Sequence, residues 1–418
     1  MFQRRIHLLV LALLIGALGA SIVGAQDEIS IVHYFSDTLG KQTMGEILDS
    51  FNAANPAYMV VDNSAGHEDF KTQILVTIAG NNPPDIFSYW AGARTQFVTD
   101  AGRLLPLDDF WAENDLDAII PEGVKAAAVY NDGLYLIPMN VHLTGFWYNP
   151  KVFADVGISD VPTTWDEFTQ TCQTLRDAGV APIALGSRNR WPAQYWFDYM
   201  VSYTAGPEYR QRLMAGDASY TDQEVVTSME TWKELVDMGC FIENPNAYDW
   251  DEAANMVANG DAAMTLMGTW ISGYWNGNGL EPLVDYDFFP FPVINPDFPA
   301  VTHGTVDGWV VPENASNAEG AKALLLELVS KDVQEKWALG QGALAASSEA
   351  DTSIYSPVLA KTADHLASVM FLPGYDLATT PPMAEGGLDM FAMFMNDPSG
   401  YQEYLEGTQL VAEDVFGG

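Results

Sequence analysis

Apolar residues in the first hundred positions alternate between short continuous runs and stripes at helical spacing. Ile29 to Phe35 reads as a buried strand. Met44, Ile47, Leu48 and Phe51 recur at helical spacing and stop before Pro56. Tyr58 to Val61 forms a second strand run. Phe70, Ile74, Leu75 and Ile78 form a second helical stripe, which Gly80 is placed to cap, and Pro83-Pro84-Asp85 leads into a strand over Ile86 to Tyr89. Strand, helix, strand, helix, strand predicts an α/β unit with a parallel sheet.

Further on, Asn131-Asp132-Gly133 predicts a hairpin turn. Helices are predicted over Pro150 to Val156 and Trp165 to Ala178, the second opened by a capping box in which Thr164 is the N-cap and Glu167 the reciprocal acceptor. Ile183 to Leu185, Ala262 to Met267, Tyr286 to Phe291 and Gly308 to Val311 read as strands. Gln223 to Met238, Asp251 to Ala258 and Asn317 to Ser330 read as helices, and the chain beyond Gly340 as mostly helical. With no repeat and no flexible linker, any passage between lobes must use short, stiff segments.

Composition sharpens this picture. The 418 residues exceed one ordinary core, so two lobes are expected, and 48% hydrophobic against 18% charged residues suits well-packed globular structure. A formal charge of -38 excludes nucleic acid and anionic membrane surfaces as partners, because nothing neutralises phosphate. At the N-terminus, Arg4 and Arg5, the apolar stretch Leu8 to Ile15 and the small residues Val23-Gly24-Ala25 form an export signal over residues 1–25, to be cleaved after Ala25 or retained as an uncleaved anchor. No cysteine stands there to carry a lipid. Cys172 and Cys240 are equally readable as a disulfide or as two buried thiols. Without a CxxC and with six scattered His, no metal is expected, and no cofactor either.

Catalytic patterns are missing. There is no GxSxG elbow, HExxH or Walker loop; Gly340-Gln341-Gly342 follows a helix rather than a strand; and chance pairs of carboxylates are expected among 56 acids. What stands out is aromatic residues beside polar ones at the ends of predicted strands. These are Tyr34, Phe35, Trp90, Trp191, Trp270 and Trp309, with Asp37, His67, Asp69, Arg94, Asn140, His142 and Asp307. Open α/β sheets bind ligands outside the carboxyl ends of their strands. A sugar presents apolar C–H faces that suit rings, and hydroxyls that suit charged and amide groups.

The order of these segments resembles the family 1 extracellular solute-binding proteins of ABC sugar importers. The likeness runs through Gly66-His67-Glu68-Asp69-Phe70-Lys71, Pro84-Asp85-Ile86-Phe87, Gly102-Arg103-Leu104-Leu105-Pro106-Leu107-Asp108 and Trp147-Tyr148-Asn149. It continues in Pro162-Thr163-Thr164-Trp165-Asp166-Glu167-Phe168, Gly260-Asp261-Ala262-Ala263-Met264, Gly268-Thr269-Trp270 and Asp307-Gly308-Trp309. The resemblance implies a two-lobed periplasmic-binding-protein fold of the class II type, with hinge crossings and C-terminal helices. Lobe 1 would take 26–139 plus 289–340, and lobe 2 141–288 plus 341–418. It further implies a non-enzymatic monomer outside the cytoplasmic membrane that closes on a mono- or oligosaccharide and delivers it to an ABC permease. Tyr34 to Asp37, His67, Trp90, Trp270 and Asp307 would face the ligand. The first loop, His33-Tyr34-Phe35-Ser36-Asp37, lacks the Trp pair and Glu common in relatives. Two other readings are a secreted glycoside hydrolase, and the same fold taking a polyol, glycerol phosphate, peptide or iron.

Overall fold

A computed structural model describes residues 26–80 and 82–417; the expected export signal over 1–25 lies outside them. The first element is β1 (Asp27–Val32), followed by α1 (Thr38–Ala54), β2 (Tyr58–Asp62), α2 (His67–Ala79), β3 (Ile86–Trp90) and α3 (Ala93–Asp100). β1 pairs in parallel with β2 on one side and β3 on the other, as the strand–helix alternation predicts. The stripe Met44, Ile47, Leu48 and Phe51 is the buried face of α1, and Phe70, Ile74 and Ile78 that of α2. Asn131 and Asp132 both take left-handed φ (50° and 63°) in the predicted hairpin turn.

The chain then runs through β4 (Ile137–Tyr148), α4 (Trp165–Asp177), β5 (Ala181–Ile183), α5 (Gln194–Thr204), α6 (Pro207–Met214), β6 (Ala262–Gly268) and α7 (Trp270–Gly277). After these come β7 (Asp287–Phe289), β8 (Val301–Val310), α8 (Lys331–Gln341) and β9 (Met370–Pro373), before the C-terminal helices Pro381–Asn396 and Tyr401–Phe416. The Thr164/Glu167 capping box opens α4 with both reciprocal bonds present. Cys172 and Cys240 are free and buried.

The main sheet has ten strands, with the path β2-β1-β3-β8-β4-β6-β5; off that path β9 pairs with β8, and β7 and the short strand Leu344–Ala345 pair with β4. β8 lies antiparallel between β3 and β4. On β4, pairing with β8 ends at Leu143 and pairing with β6 begins at Thr144, so one continuous strand belongs to two halves of the sheet. A register shift next to Asp307 marks a bulge in the β8–β4 ladder.

Two elements differ from expectation. The strand predicted over Gly308 to Val311 begins instead at Val301, because Thr302, His303, Thr305 and Asp307 are buried polar residues that disguise a strand as a loop. α5 has no amphipathic stripe to read, since every residue from Gln194 to Tyr203 is buried. A buried ion pair fixes α5 to α6 and to the segment after β9. Arg210 of α6 donates from Nε and Nη2 to Asp198 Oδ1 at 2.9 and 2.7 Å, and from Nη2 to the Pro373 carbonyl at 2.7 Å, while Asp198 Oδ2 accepts from the Tyr375 backbone N–H at 2.9 Å.

Candidate ligand site

Three adjacent strands place polar groups side by side. Trp90 of β3, Asp307 of β8 and Asn140 of β4 are direct cross-strand partners, and Thr305 faces His142 nearby on the same ladder. Cross-strand partners share a face, so these side chains converge. Asp307 is 3% exposed. Its Oδ2 accepts a hydrogen bond from Asn140 Nδ2 at 2.8 Å, and its Oδ1 one from Thr305 Oγ1 at 3.1 Å. Asn140 is itself fixed by Trp337 Nε1, which donates to Oδ1 at 2.7 Å. His142 Nε2 stands 3.5 Å from Asp307 Oδ2, and Nδ1 is 2.6 Å from Thr269 Oγ1. Burial pushes the His142 imidazole down to about 4, against the pull of Asp307.

Aromatic rings cover this polar floor. Tyr34, just beyond β1, stacks on Trp90 at 4.3 Å between centroids and 19° between planes. Its hydroxyl is buried without a well-formed hydrogen bond, yet lies near enough to Asp307 that burial, then the charge and hydrogen-bonding pull of that carboxylate, raise its pKa well above the ordinary phenol value. Buried polar atoms are nearly always paired, so a hydroxyl without a well-formed bond on a cavity wall marks a place for a ligand group or water. Asp37 caps α1 by accepting from the Gly40 N–H at 2.8 Å, and burial raises its carboxyl. Gly268 lets Trp270 fold back over the strand end: a Cβ there would lie 2.0 Å from the indole.

The opposite wall comes from more distant segments. His67 and Lys71, one turn apart on α2, present the same face. Glu68 beside them accepts from Trp191 Nε1 at 3.2 Å and pairs with Lys71 Nζ at 3.1 Å. Burial would raise Glu68, but the hydrogen bond with His67 and the charge of Lys71 hold it at about 2. Trp191 also meets Trp270, with centroids 5.9 Å apart. Arg94 of α3 lies over the Trp90 ring at 5.6 Å and bonds Asp376 through Nη2 at 2.9 Å, with both side chains 11% exposed. Gln194 Oε1 accepts from the Asp376 N–H at 2.9 Å. Gly92, at φ 101°, admits the Leu377 carbonyl, which would lie 2.3 Å from a Cβ.

These walls enclose a cavity of about 140 Å³. Ten of the residues singled out from sequence line it: Tyr34, Phe35, Asp37, His67, Trp90, Arg94, His142, Trp191, Trp270 and Asp307. Three do not. Asn140 sits behind the wall and orients Asp307. Trp309 is fully buried beneath Phe35, with centroids 6.0 Å apart. Asp69 is exposed, because two residues along a helix from His67 turn its side chain to the other face. Sequence reasoning missed Lys71, Gln194, Tyr195, Trp250, Gln341 and Asp376. Only Lys71 carried a readable signal, its spacing of four from His67. Among the described residues, no cluster of His, Cys, Asp or Glu is arranged to hold a metal ion, and no helix is long and apolar enough to cross a membrane.

Comparison with known proteins gives a consistent result. The profile of the bacterial extracellular solute-binding protein family matches residues 36–335. An uncharacterized ABC transporter extracellular-binding protein of Pyrococcus horikoshii is 30% identical, over 79% of this chain and 74% of its own length. A protein of Mesorhizobium japonicum named as a probable sugar-binding periplasmic protein is 27% identical, over 68% of this chain and 67% of its own. Among solved structures, the bacterial solute receptor AcbH, described as having an exclusive preference for β-D-galactopyranose, superposes with a TM-score of 0.87. It shares 23% identity, over 94% of this chain and 100% of that one.

Proposed function

This chain belongs to the family of bacterial extracellular solute-binding proteins, and we propose that it captures a sugar between two lobes outside the cytoplasmic membrane and delivers it, without chemical change, to the permease of an ABC importer. One observation carries the choice of sugar. The Tyr34–Trp90 stack stands directly beside Asp307 and His142, with Asn140 holding Asp307 from behind, so an apolar ring face and hydroxyl-binding groups are offered to the same ligand. The naming of the Mesorhizobium relative and the described preference of AcbH support the same class.

In this reading the lobes are 26–139 plus 289–340 and 141–288 plus 341–418, and the ten lining residues named above contact the ligand, with Asn140 supporting Asp307. The change of partner on β4 between Leu143 and Thr144 supports a hinge in that strand. Ligand favours the closed arrangement by its greater affinity for it, since contacts to the second wall form only on closure. A thermal-shift screen of the protein against neutral sugars, polyols, glycerol phosphate and short peptides tests the assignment. A saturable rise in midpoint with a sugar, unaltered on recovery, is expected. A rise with glycerol phosphate or a peptide alone, or hydrolysis of a glycoside, overturns it.

A further inference from the structure

Resting on the reading of the ligand site above, we propose that Arg190 is a positioning residue: a strained turn, held by Glu385 and Asp389, presets the Trp191 indole in the cavity wall. The backbone of this turn is unusual. Arg190 takes φ 65° and ψ -41°, and the Trp191 N–H donates across it to the Asn189 carbonyl at 2.7 Å. That is a γ-turn of the rare, strained hand, which glycine adopts far more readily than arginine. Strain of this kind persists only where surrounding groups over-determine it, and it gathers at ligand sites. Here the neighbouring backbone is fixed from a second segment. The Ser187 and Arg188 N–H groups donate to the Pro245 and Tyr248 carbonyls, each at 2.9 Å. Asn189 Nδ2 and Arg188 Nη1 hold the two oxygens of Asp249 at 2.8 and 2.5 Å, next to Trp250 in the same cavity wall.

The Arg190 side chain completes the clamp. Its Nη1 donates to Asp389 at 2.6 Å and its Nη2 to Glu385 at 2.7 Å. These acids stand one turn apart on the helix Pro381–Asn396, so a single planar guanidinium spans both and offsets their mutual repulsion. The pairs are half exposed and individually weak, too weak to hold the fold together. They are strong enough to tip a local choice between a strained and a relaxed turn. Relaxing Arg190 to negative φ breaks the bond from Trp191 N–H to Asn189 and rotates the chain that carries the indole. Glu68, His67 and Trp270, which the indole touches, belong to α2 and α7, so the turn is its anchorage within its own segment.

Fluorine NMR of the full chain labelled with 5-fluorotryptophan tests this without a ligand, the Trp191 signal being the one lost in Trp191→Phe. Two variants probe the clamp: Glu385→Gln combined with Asp389→Asn, and Arg190→Gly, which frees the turn of its strain. Both are expected to move or broaden the Trp191 signal alone, with the thermal midpoint within ~3 °C of the wild type. Calorimetric titration with D-glucose, D-galactose, D-xylose, maltose and cellobiose gives the second readout. Whichever of these binds the wild type is expected to bind both variants at least ~5-fold more weakly. An unmoved Trp191 signal overturns the proposal, as does a moved signal with wild-type affinity. Shifts spread over all tryptophans with a lowered midpoint also overturn it, because the clamp then serves the fold at large. A moved Trp191 signal with a wild type silent towards all these sugars supports the role of Arg190 and counts against the sugar reading instead.

Discussion

His142 lies where burial and charge pull in opposite directions, and burial wins, taking its imidazole down to about 4 although Asp307 is 3.5 Å away. The folded chain therefore binds less proton than the unfolded one between about pH 6.5, the ordinary histidine value, and about 4. Stability from this residue is fully present above pH 6.5 and is lost as pH falls towards 4, by about 3 kcal/mol at most. Burial raises Asp198 to about 6 with the opposite sign: that contribution is present in acid and lost as pH rises through about 6. Comparison with a variant separates the two. The urea midpoint of the wild type is expected to fall more between pH 7 and 4.5 than that of His142→Gln, whose amide does not titrate. Equal falls would remove His142 from the account. Ligand affinity is expected to follow the same trend, because a protonated ring loses an acceptor in the cavity.

At the scale of elements, α5, α6 and the stretch after β9 are joined by Arg210 and Asp198, 1% and 0% exposed. Arg210→Met would leave the Asp198 carboxylate buried without its cation, which costs about 3–5 kcal/mol. Chemical denaturation should show this loss, and most of it should return when Asp198 is also made apolar. If the single variant is as stable as the wild type, the ion pair does not hold these elements together. The same elements show which portions of the fold could be read in sequence. β1, β2, β3, α1, α2 and α4 carry unbroken runs, stripes and a capping box, and each lies within a few residues of where its pattern placed it. β8 hides behind its own buried polar residues, and α5 is covered on every side. The site divides in the same way. Residues at strand ends announced themselves by pairing rings with polar groups, whereas Asp376 reaches Arg94 from 282 positions away, out of a segment with no local pattern. Asp69 and Trp309 were misplaced because spacing along a helix, and depth beneath a wall, are set by neighbours rather than by residue type.

For the whole molecule, Trp191 ties α2 to the segment before α5 and to α7 at the proposed site. It donates to Glu68 and touches His67 and Trp270, while Lys71 Nζ lies 5.9 Å from its ring. Trp191→Ala should weaken ligand binding by about 2 kcal/mol, roughly 30-fold, and reduce the ligand-induced contraction seen by small-angle scattering. Unchanged affinity and contraction would mean that closure does not depend on it. The position of β8 has a consequence for the order in which the protein can be assembled. β3 and β4 are separated by a strand that arrives only at Val301–Val310. A growing or truncated chain that stops short of it presents two open strand edges at once, and such edges recruit other chains. The two sides of the sheet can therefore be joined only after this one segment emerges, and until then both edges need shielding from neighbouring chains.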